Sequence, residues 1–199
     1  MNRPYGNTAQ GRNRRSIRLK DHDYSQAGAY YITVCTQERE CLFGQVVDGQ
    51  MQLNEAGRIV QAVWDGLSQF HDGIELDAFV VMPNHVHGII VIRASVGAIH
   101  ELPVQAIHES PATPARIADR RRMLLSKIVG RFKMVSGKEI NFLRQTMGQP
   151  VWQRNYYEHI IRDEESLRRI RRYIADNPAQ WDFDRENPNV FGSERRGNS

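Results

Sequence analysis

His85 and His87 stand one residue apart in the run Val80-Val-Met-Pro-Asn-His-Val-His-Gly-Ile-Ile-Val91. The run is otherwise apolar and β-branched, the composition of a buried strand. Side chains alternate across a strand, so residues i and i+2 share a face. Both imidazoles therefore point the same way from the middle of a sheet. Two neutral imidazoles at that spacing can share one divalent metal ion. A second pair of chemical groups lies far downstream, in Arg172-Tyr-Ile-Ala-Asp-Asn-Pro178. Leu167, Ile170 and Ile174 give that segment a helical apolar stripe. At about 100° per residue, Tyr173 and Asn177 fall together at one edge of the stripe, one turn apart. If this helix lies over the histidine strand, Asn177 offers an oxygen as third ligand, and Tyr173 faces whatever the metal holds.

Each of these residues also has a plainer reading. A buried histidine pair can be hydrogen-bonded core, and Tyr173 a half-buried residue of an amphipathic helix. Asn177 can be a C-cap before proline, a role compatible with ligation. Tyr156 and Tyr157 are rival nucleophiles, although an aromatic pair on a strand reads first as core plus a surface for stacking bases. His159 shares the strand parity of Tyr157 and carries no assigned role. A nucleotide hydrolase built on a histidine strand would need a third histidine on the same face, where Ile89 stands.

The elements that must position these groups can be read in order. Residues 29–36 form a strand by β-branched and aromatic content. Residues 42–53 form a hairpin turning at Asp48-Gly49. Asn54 caps a helix with the stripe Ile59, Val60, Val63, Trp64 and Leu67, ending near Phe70. A strand over 75–82, a tight turn at Pro83-Asn84 and the histidine strand over 85–93 follow. That strand is apolar on both faces and therefore central. Gly88, beside His87, leaves room for another group to approach the backbone.

Residues 94–115 read as a loop insertion, with Pro103, Pro111 and Pro114 opposing a helix. The insertion repeats Ala98-Ile-His-Glu-Leu-Pro103 as Ala106-Ile-His-Glu-Ser-Pro111, which fits a tolerated insertion better than a metal site. A long helix over 115–135 buries Leu124, Leu125, Ile128, Val129, Phe132 and Val135 and ends at Ser136-Gly137, with a shorter helical piece over 139–146. A strand over 151–161 precedes the last helix, which Asp163 caps and Asn177-Pro178 stops. The tail keeps Trp181, Phe183, Val190 and Phe191 for packing back onto the body. Interleaved strands and helices with short connections give an α+β sandwich: a mostly antiparallel central sheet with helices packed on one face.

At 199 residues the chain suits one domain. No apolar run approaches the ~20 residues of a membrane span. The start is polar and basic, without the apolar core of a signal peptide. Cys35 and Cys41 have no partner pair that would make a zinc site and read as reduced thiols. These features point to a cytoplasmic protein with no membrane partner. The net charge is only +4, so its distribution says more. Arg3, Arg12, Arg14, Arg15, Arg18 and Lys20 occur with no acid in residues 1–20, which read as a flexible basic arm. Arg120, Arg121, Arg122, Lys127, Arg131 and Lys133 make a second cluster, and Arg162, Arg168, Arg169, Arg171 and Arg172 a third. A solvated helix face explains any one cluster, whereas three favour a polyanion, because clustered cations release counterions from phosphate backbones.

The context Met82-Pro-Asn-His-Val-His-Gly88 followed by Tyr173-Ile-Ala-Asp-Asn-Pro178 resembles the HUH single-tyrosine transposases. It looks most like the REP-associated tyrosine transposase branch of the IS200-like superfamily, over roughly residues 30–181. The resemblance implies a ferredoxin-like (HUH) sandwich, with a single catalytic domain over 21–182 and a polar tail over 183–199. It implies His85 and His87 as paired metal ligands, Asn177 as the third, and Tyr173 as nucleophile. Other IS200 relatives have Gln where Asn177 stands. The implied activity is metal-dependent nicking and joining of single-stranded or REP-like hairpin DNA in transposition and recombination. The intermediate would be a covalent 5′-phosphotyrosine, with Mg²⁺ or Mn²⁺ as cofactor. It would act as monomer or homodimer, in a bacterial, nucleoid-associated setting. The hairpin stem would be held by Arg14, Arg15, Arg18, Arg122, Lys127, Arg131 and Lys133. Arg154 would touch DNA beside Trp152 and Gln153, and Arg169 and Arg172 would grip phosphate near Tyr173. The alternative is a hairpin-binding protein whose cleavage is lost or purely regulatory.

Overall fold

The structure, a computed structural model, describes residues 27–93 and 114–188, with the side chains of 114–123 left aside. Arg14, Arg15, Arg18, the Arg122 side chain, both His-Glu repeats, Val190 and Phe191 lie outside the described residues.

Among the described residues, six strands and three α-helices follow one another: β1 (Gly28–Cys35), β2 (Gly44–Val47), β3 (Gln50–Leu53), α1 (Glu55–Asp65), β4 (Ile74–Val81), β5 (His85–Ile92), α2 (Pro114–Arg144), β6 (Tyr157–Ile161) and α3 (Glu164–Asp176). The main sheet has the order β4-β5-β1-β6, and every pairing in it is antiparallel. The hairpin β2–β3 stands apart and turns at Asp48-Gly49, where φ is 51° and 72°. Those positive values are what a tight two-residue turn requires. Asn54 caps α1 by accepting from the Gly57 amide, and Asp163 caps α3 by accepting from that of Ser166.

The helices cover both faces of the sheet, not one as expected. Tyr30, Ile32, Val34, Val86 and Ile90 form one face and pack with Val60 and Trp64 of α1 and Ile128, Val129 and Phe132 of α2. Ile89, Ala29, Tyr31 and Val80 face the other way, against Leu167, Ile170 and Ile174 of α3. β1 and β5 sit centrally, and β5 is largely apolar at both parities, so each face needs a cover.

Two further expectations are corrected. Ser136-Gly137 does not end the long helix, which runs unbroken to Arg144. The Ser136 hydroxyl donates to the Phe132 carbonyl (2.6 Å) and accepts from Trp152 Nε1 (3.0 Å), so it is satisfied inside the helix. The strand expected over 151–161 shortens to Tyr157–Ile161. Trp152 makes only a bridge to Thr36, since its ring turns into the α2 face. Lys133 Nζ takes the carbonyls of Gln153 (2.6 Å) and Arg154 (2.9 Å) that a ladder would otherwise use.

Candidate active site

β5 is the buried centre of the sheet, and its register sets the site. Thr33 of β1 lies opposite His87, and Cys35 opposite His85. Residues directly opposite in an antiparallel pair share a face. Tyr31 is two residues back from Thr33, so Tyr31, Thr33, His85 and His87 all emerge on the α3 side.

His85 and His87 are 0% and 3% exposed, and their Nε2 atoms face each other at 3.0 Å. Burial pushes both imidazoles down to about 3. For His85 the Arg39 guanidinium adds to this, and for His87 the neighbouring ring does. At neutral pH both are uncharged, the form that ligates metal. Asn84 orients the first ring. Its Nδ2 donates to the carbonyls of Arg39 (3.1 Å) and Glu186 (2.7 Å), and its Oδ1 accepts from His85 Nδ1 (2.8 Å). His85 Nε2 is thereby left as the lone-pair nitrogen. His87 Nδ1 lies 2.7 Å from the Tyr31 hydroxyl and 2.9 Å from Thr33 Oγ1.

α3 delivers the second half. It is tied to β4 by Arg171, whose guanidinium forks onto the Asp77 carboxylate at 2.6–3.0 Å. Asp77 lies at a bulge in the β4–β5 register, between Leu76 and Phe79. Docked this way, α3 places the Tyr173 ring 5.3 Å from that of His87 and 6.3 Å, edge-on, from that of Tyr31. Tyr173 remains 48% exposed, so the residue is half open to solvent. Burial pushes the pKa of this phenol up, and the Asp184 charge adds to that; Asn177 and Tyr31 act against them by hydrogen bonding. Asn177 is 1% exposed. Its Nδ2 donates to Asp184 Oδ2 (3.3 Å), and its Oδ1 is buried with no hydrogen-bond partner.

A carboxylate that the sequence reading missed completes the corner. Asp184 Oδ2 lies 3.9 Å from His85 Nε2, and the ligand atoms of His85, His87 and Asp184 lie within 4.8 Å of one another. The residues fit a divalent cation. Two ligands at about 2.1 Å and near 90° are about 3.0 Å apart, the spacing of the two Nε2 atoms. A buried carbonyl oxygen without a partner is also what an ion would satisfy. Two nitrogens with one or two oxygens suit Mg²⁺ or Mn²⁺ better than a soft metal. Trp181, packed 6.1 Å from the His85 ring, and Glu186, paired with Arg39 at 2.9 Å, hold the segment carrying Asp184 in place.

The other expected DNA contacts are dispersed. Arg169 and Arg172 are exposed on α3, on the site side, and Arg169 donates to Ser166 Oγ (3.3 Å). Lys127 and Arg131 lie on α2, across the sheet, and the Arg131 guanidinium sits 3.8 Å over the Phe70 ring. Arg154 is exposed ahead of β6, while the Lys133 ammonium is occupied by the two carbonyls named above. Of the rival tyrosines, Tyr156 packs with the α2 side, and Tyr157 is 43% exposed with its ring 6.2 Å from Tyr31. Phe183 is 81% exposed rather than packed.

The fold and the site together define an antiparallel α+β protein in which a buried histidine pair meets a helix-borne tyrosine. The chain belongs to one family with an uncharacterized protein of Haemophilus influenzae, to which it is 42% identical over 171 residues, 86% of this chain and 91% of the other. No protein-family profile matches it. Solved structures similar at low identity include two transposase structures. One is a REP-associated tyrosine transposase bound to a REP hairpin: 18% identity, TM-score 0.45, covering 78% of this chain and 68% of that one. The other is a candidate transposase of Deinococcus radiodurans: 16% identity, TM-score 0.42, covering 80% and 97%. No helix among the described residues is long and apolar enough to cross a membrane.

Proposed function

We propose that this chain is a single-tyrosine DNA strand transferase of the REP-associated, IS200-like kind, acting on single-stranded or hairpin DNA. One observation carries the reading. Tyr173, half exposed, stands 5.3 Å ring to ring from a buried neutral histidine whose partner nitrogens and oxygens suit a divalent cation. A nucleophile beside a phosphate-polarising corner is the arrangement phosphoryl transfer needs. His85, His87 and an oxygen of Asn177 or Asp184 would hold Mg²⁺ or Mn²⁺, which would offset charge developing on the scissile phosphate.

In the first step the Tyr173 oxygen attacks phosphorus, and the bond from phosphorus to the 3′-oxygen breaks. The phenol proton passes to the solvent to which Tyr173 is open, and the leaving 3′-oxygen takes one up. A 5′-phosphotyrosine and a free 3′-OH result. Reversal of the same step by another 3′-OH rejoins the strand, so no nucleotide cofactor is required. Arg169, one turn before Tyr173, and Arg172 hold phosphate. Tyr157, exposed on the same face, offers a ring on which an unpaired base stacks.

The test is incubation of the protein with a labelled hairpin carrying a single-stranded flank, plus Mn²⁺, followed by denaturing electrophoresis. A covalent adduct is expected. Tyr173→Phe should abolish it while leaving hairpin binding within about twofold. An adduct that survives this substitution sinks Tyr173 and points to Tyr157. Tight binding with no adduct from the unaltered protein would favour the binding-module alternative.

A further inference from the structure

Two ring nitrogens facing each other at 3.0 Å need something between them. Facing lone pairs repel and facing N–H groups collide, so the two nitrogens must share a proton between them or a cation that both bind. His85 does not supply the proton. Asn84 commits its Nδ2 to two carbonyls and presents Oδ1, an acceptor only, to His85 Nδ1, so the neutral ring carries its proton there. In the free protein the shared proton is therefore that of His87 Nε2. His87 Nδ1 is then an acceptor: the Tyr31 hydroxyl, 2.7 Å away, donates to it, and Thr33 Oγ1, 2.9 Å from the same nitrogen, donates to the Tyr31 oxygen.

A cation on the pair requires the other tautomer of His87, with Nε2 bare and the proton on Nδ1. The same two hydroxyls can serve that state, because a hydroxyl both donates and accepts. They lie 3.1 Å apart and bond to each other, so both can reverse direction together. A carboxylate or carbonyl in their place would accept only and would fix one tautomer, as Asn84 fixes that of His85.

We infer that Tyr31 and Thr33 are positioning residues that let His87 exchange ring tautomers, from Nε2–H in the free protein to Nδ1–H when a divalent cation occupies the histidine pair. The inference rests on the metal corner of the proposed function. Atoms balance within the ring: the proton lost at Nε2 is matched by one gained at Nδ1, and the charge of His87 is unchanged. Cation uptake near neutral pH thus releases no proton from this ring.

The test is long-range ¹H–¹⁵N spectroscopy of the full chain labelled at histidine, before and after titration with Zn²⁺ as a diamagnetic occupant. The free protein should show His85 protonated at Nδ1 and His87 at Nε2; the loaded protein should show both at Nδ1. Finding His87 already at Nδ1 in the free protein overturns the inference, as does an unchanged His87 pattern at saturation. Failure of both Zn²⁺ and Mn²⁺ to perturb either ring also overturns it. As a second measurement, Mn²⁺ affinity by electron paramagnetic resonance should fall roughly 10–100-fold in Tyr31→Phe/Thr33→Val, which leaves Nδ1–H without an acceptor. Thr33→Ser keeps the hydroxyl and should stay within about twofold. A folded double variant that binds Mn²⁺ like the parent overturns the inference; if that variant does not fold, the spectra of the unaltered chain decide. No readout involves DNA, so tautomer exchange without strand cleavage would sink the transferase reading and leave this one standing.

Discussion

The two histidines hold their place by staying uncharged, and this makes the fold sensitive to acid. Burial, followed by Arg39 for one ring and by the neighbouring ring for the other, sets both folded-state values at about 3. An unfolded histidine titrates near 6.5, so between those values the unfolded chain binds more protons. The contribution to stability is complete above about pH 6.5 and is lost as pH falls from there toward 3. At pH ~5 the loss is about 2 kcal/mol for each histidine. Urea melts at pH ~7.5 and ~5 should show a lower midpoint in acid, and His87→Asn should remove about half of that difference. Equal acid sensitivity in parent and variant would show that other groups cause it. The shared face of these histidines was legible from strand parity, and the nearness of Tyr173 to Asn177 from helix pitch. Asn84, Tyr31, Thr33 and Asp184 were not. Asn84 read as a turn residue, because its partners are backbone carbonyls of Arg39 and Glu186, distant in sequence. Tyr31 and Thr33 did carry a signal: they are the polar parity of a strand whose other parity is Tyr30, Ile32 and Val34. Asp184 follows the last α-helix in a stretch without periodicity, so nothing local marked it.

At the scale of elements, the site depends on how closely α1 approaches the histidine strand from behind. Gly88 is where that happens. A Cβ placed there would meet Trp64 Cη2 at 2.4 Å, Cζ2 at 2.7 Å and Phe79 Cδ2 at 3.0 Å. Trp64 is itself stacked on Phe79 with ring centroids 4.2 Å apart and is 2% exposed, so it has little room to yield. Gly88→Ala should therefore destabilise by about 1–3 kcal/mol through overpacking. A thermal melt should fall by several degrees, roughly 2–12 °C. An unchanged melting temperature would mean that the indole can shift without cost. The sequence reading anticipated a close approach at Gly88 but not which group makes it, since that depends on the crossing of α1 over β5. The same limit explains the expected single helical layer. Apolar content at both parities of β5 signals two covers, yet assigning each helix to a face requires the sheet order.

At the scale of the molecule, the two helical layers divide the cations between opposite sides of the sheet. Arg169 and Arg172 ride on α3 with Tyr173, while Lys127 and Arg131 ride on α2 beyond the sheet. A strand whose phosphate lies at Tyr173 meets the helix that carries the first pair; it reaches the second only if the duplex stem wraps around an edge. On the proposed reading both pairs would contribute to affinity through counterion release, and the α3 pair, on the helix of Tyr173, is the one assigned to the reacting phosphate. Arg169→Gln/Arg172→Gln should lower the slope of log affinity against log salt by up to about one unit per arginine. It should also slow adduct formation at saturating DNA. Lys127→Gln/Arg131→Gln should weaken binding yet leave the saturating rate unchanged. Arg131 also covers Phe70 at 3.8 Å, so a melt of that variant must accompany the kinetics. The measurement is anisotropy of a labelled hairpin over about 50–200 mM salt, paired with adduct formation at saturation. If the α2 variant slows the saturating rate as much as the α3 variant, the DNA does not approach from the α3 side, and the assignment of that face as catalytic fails.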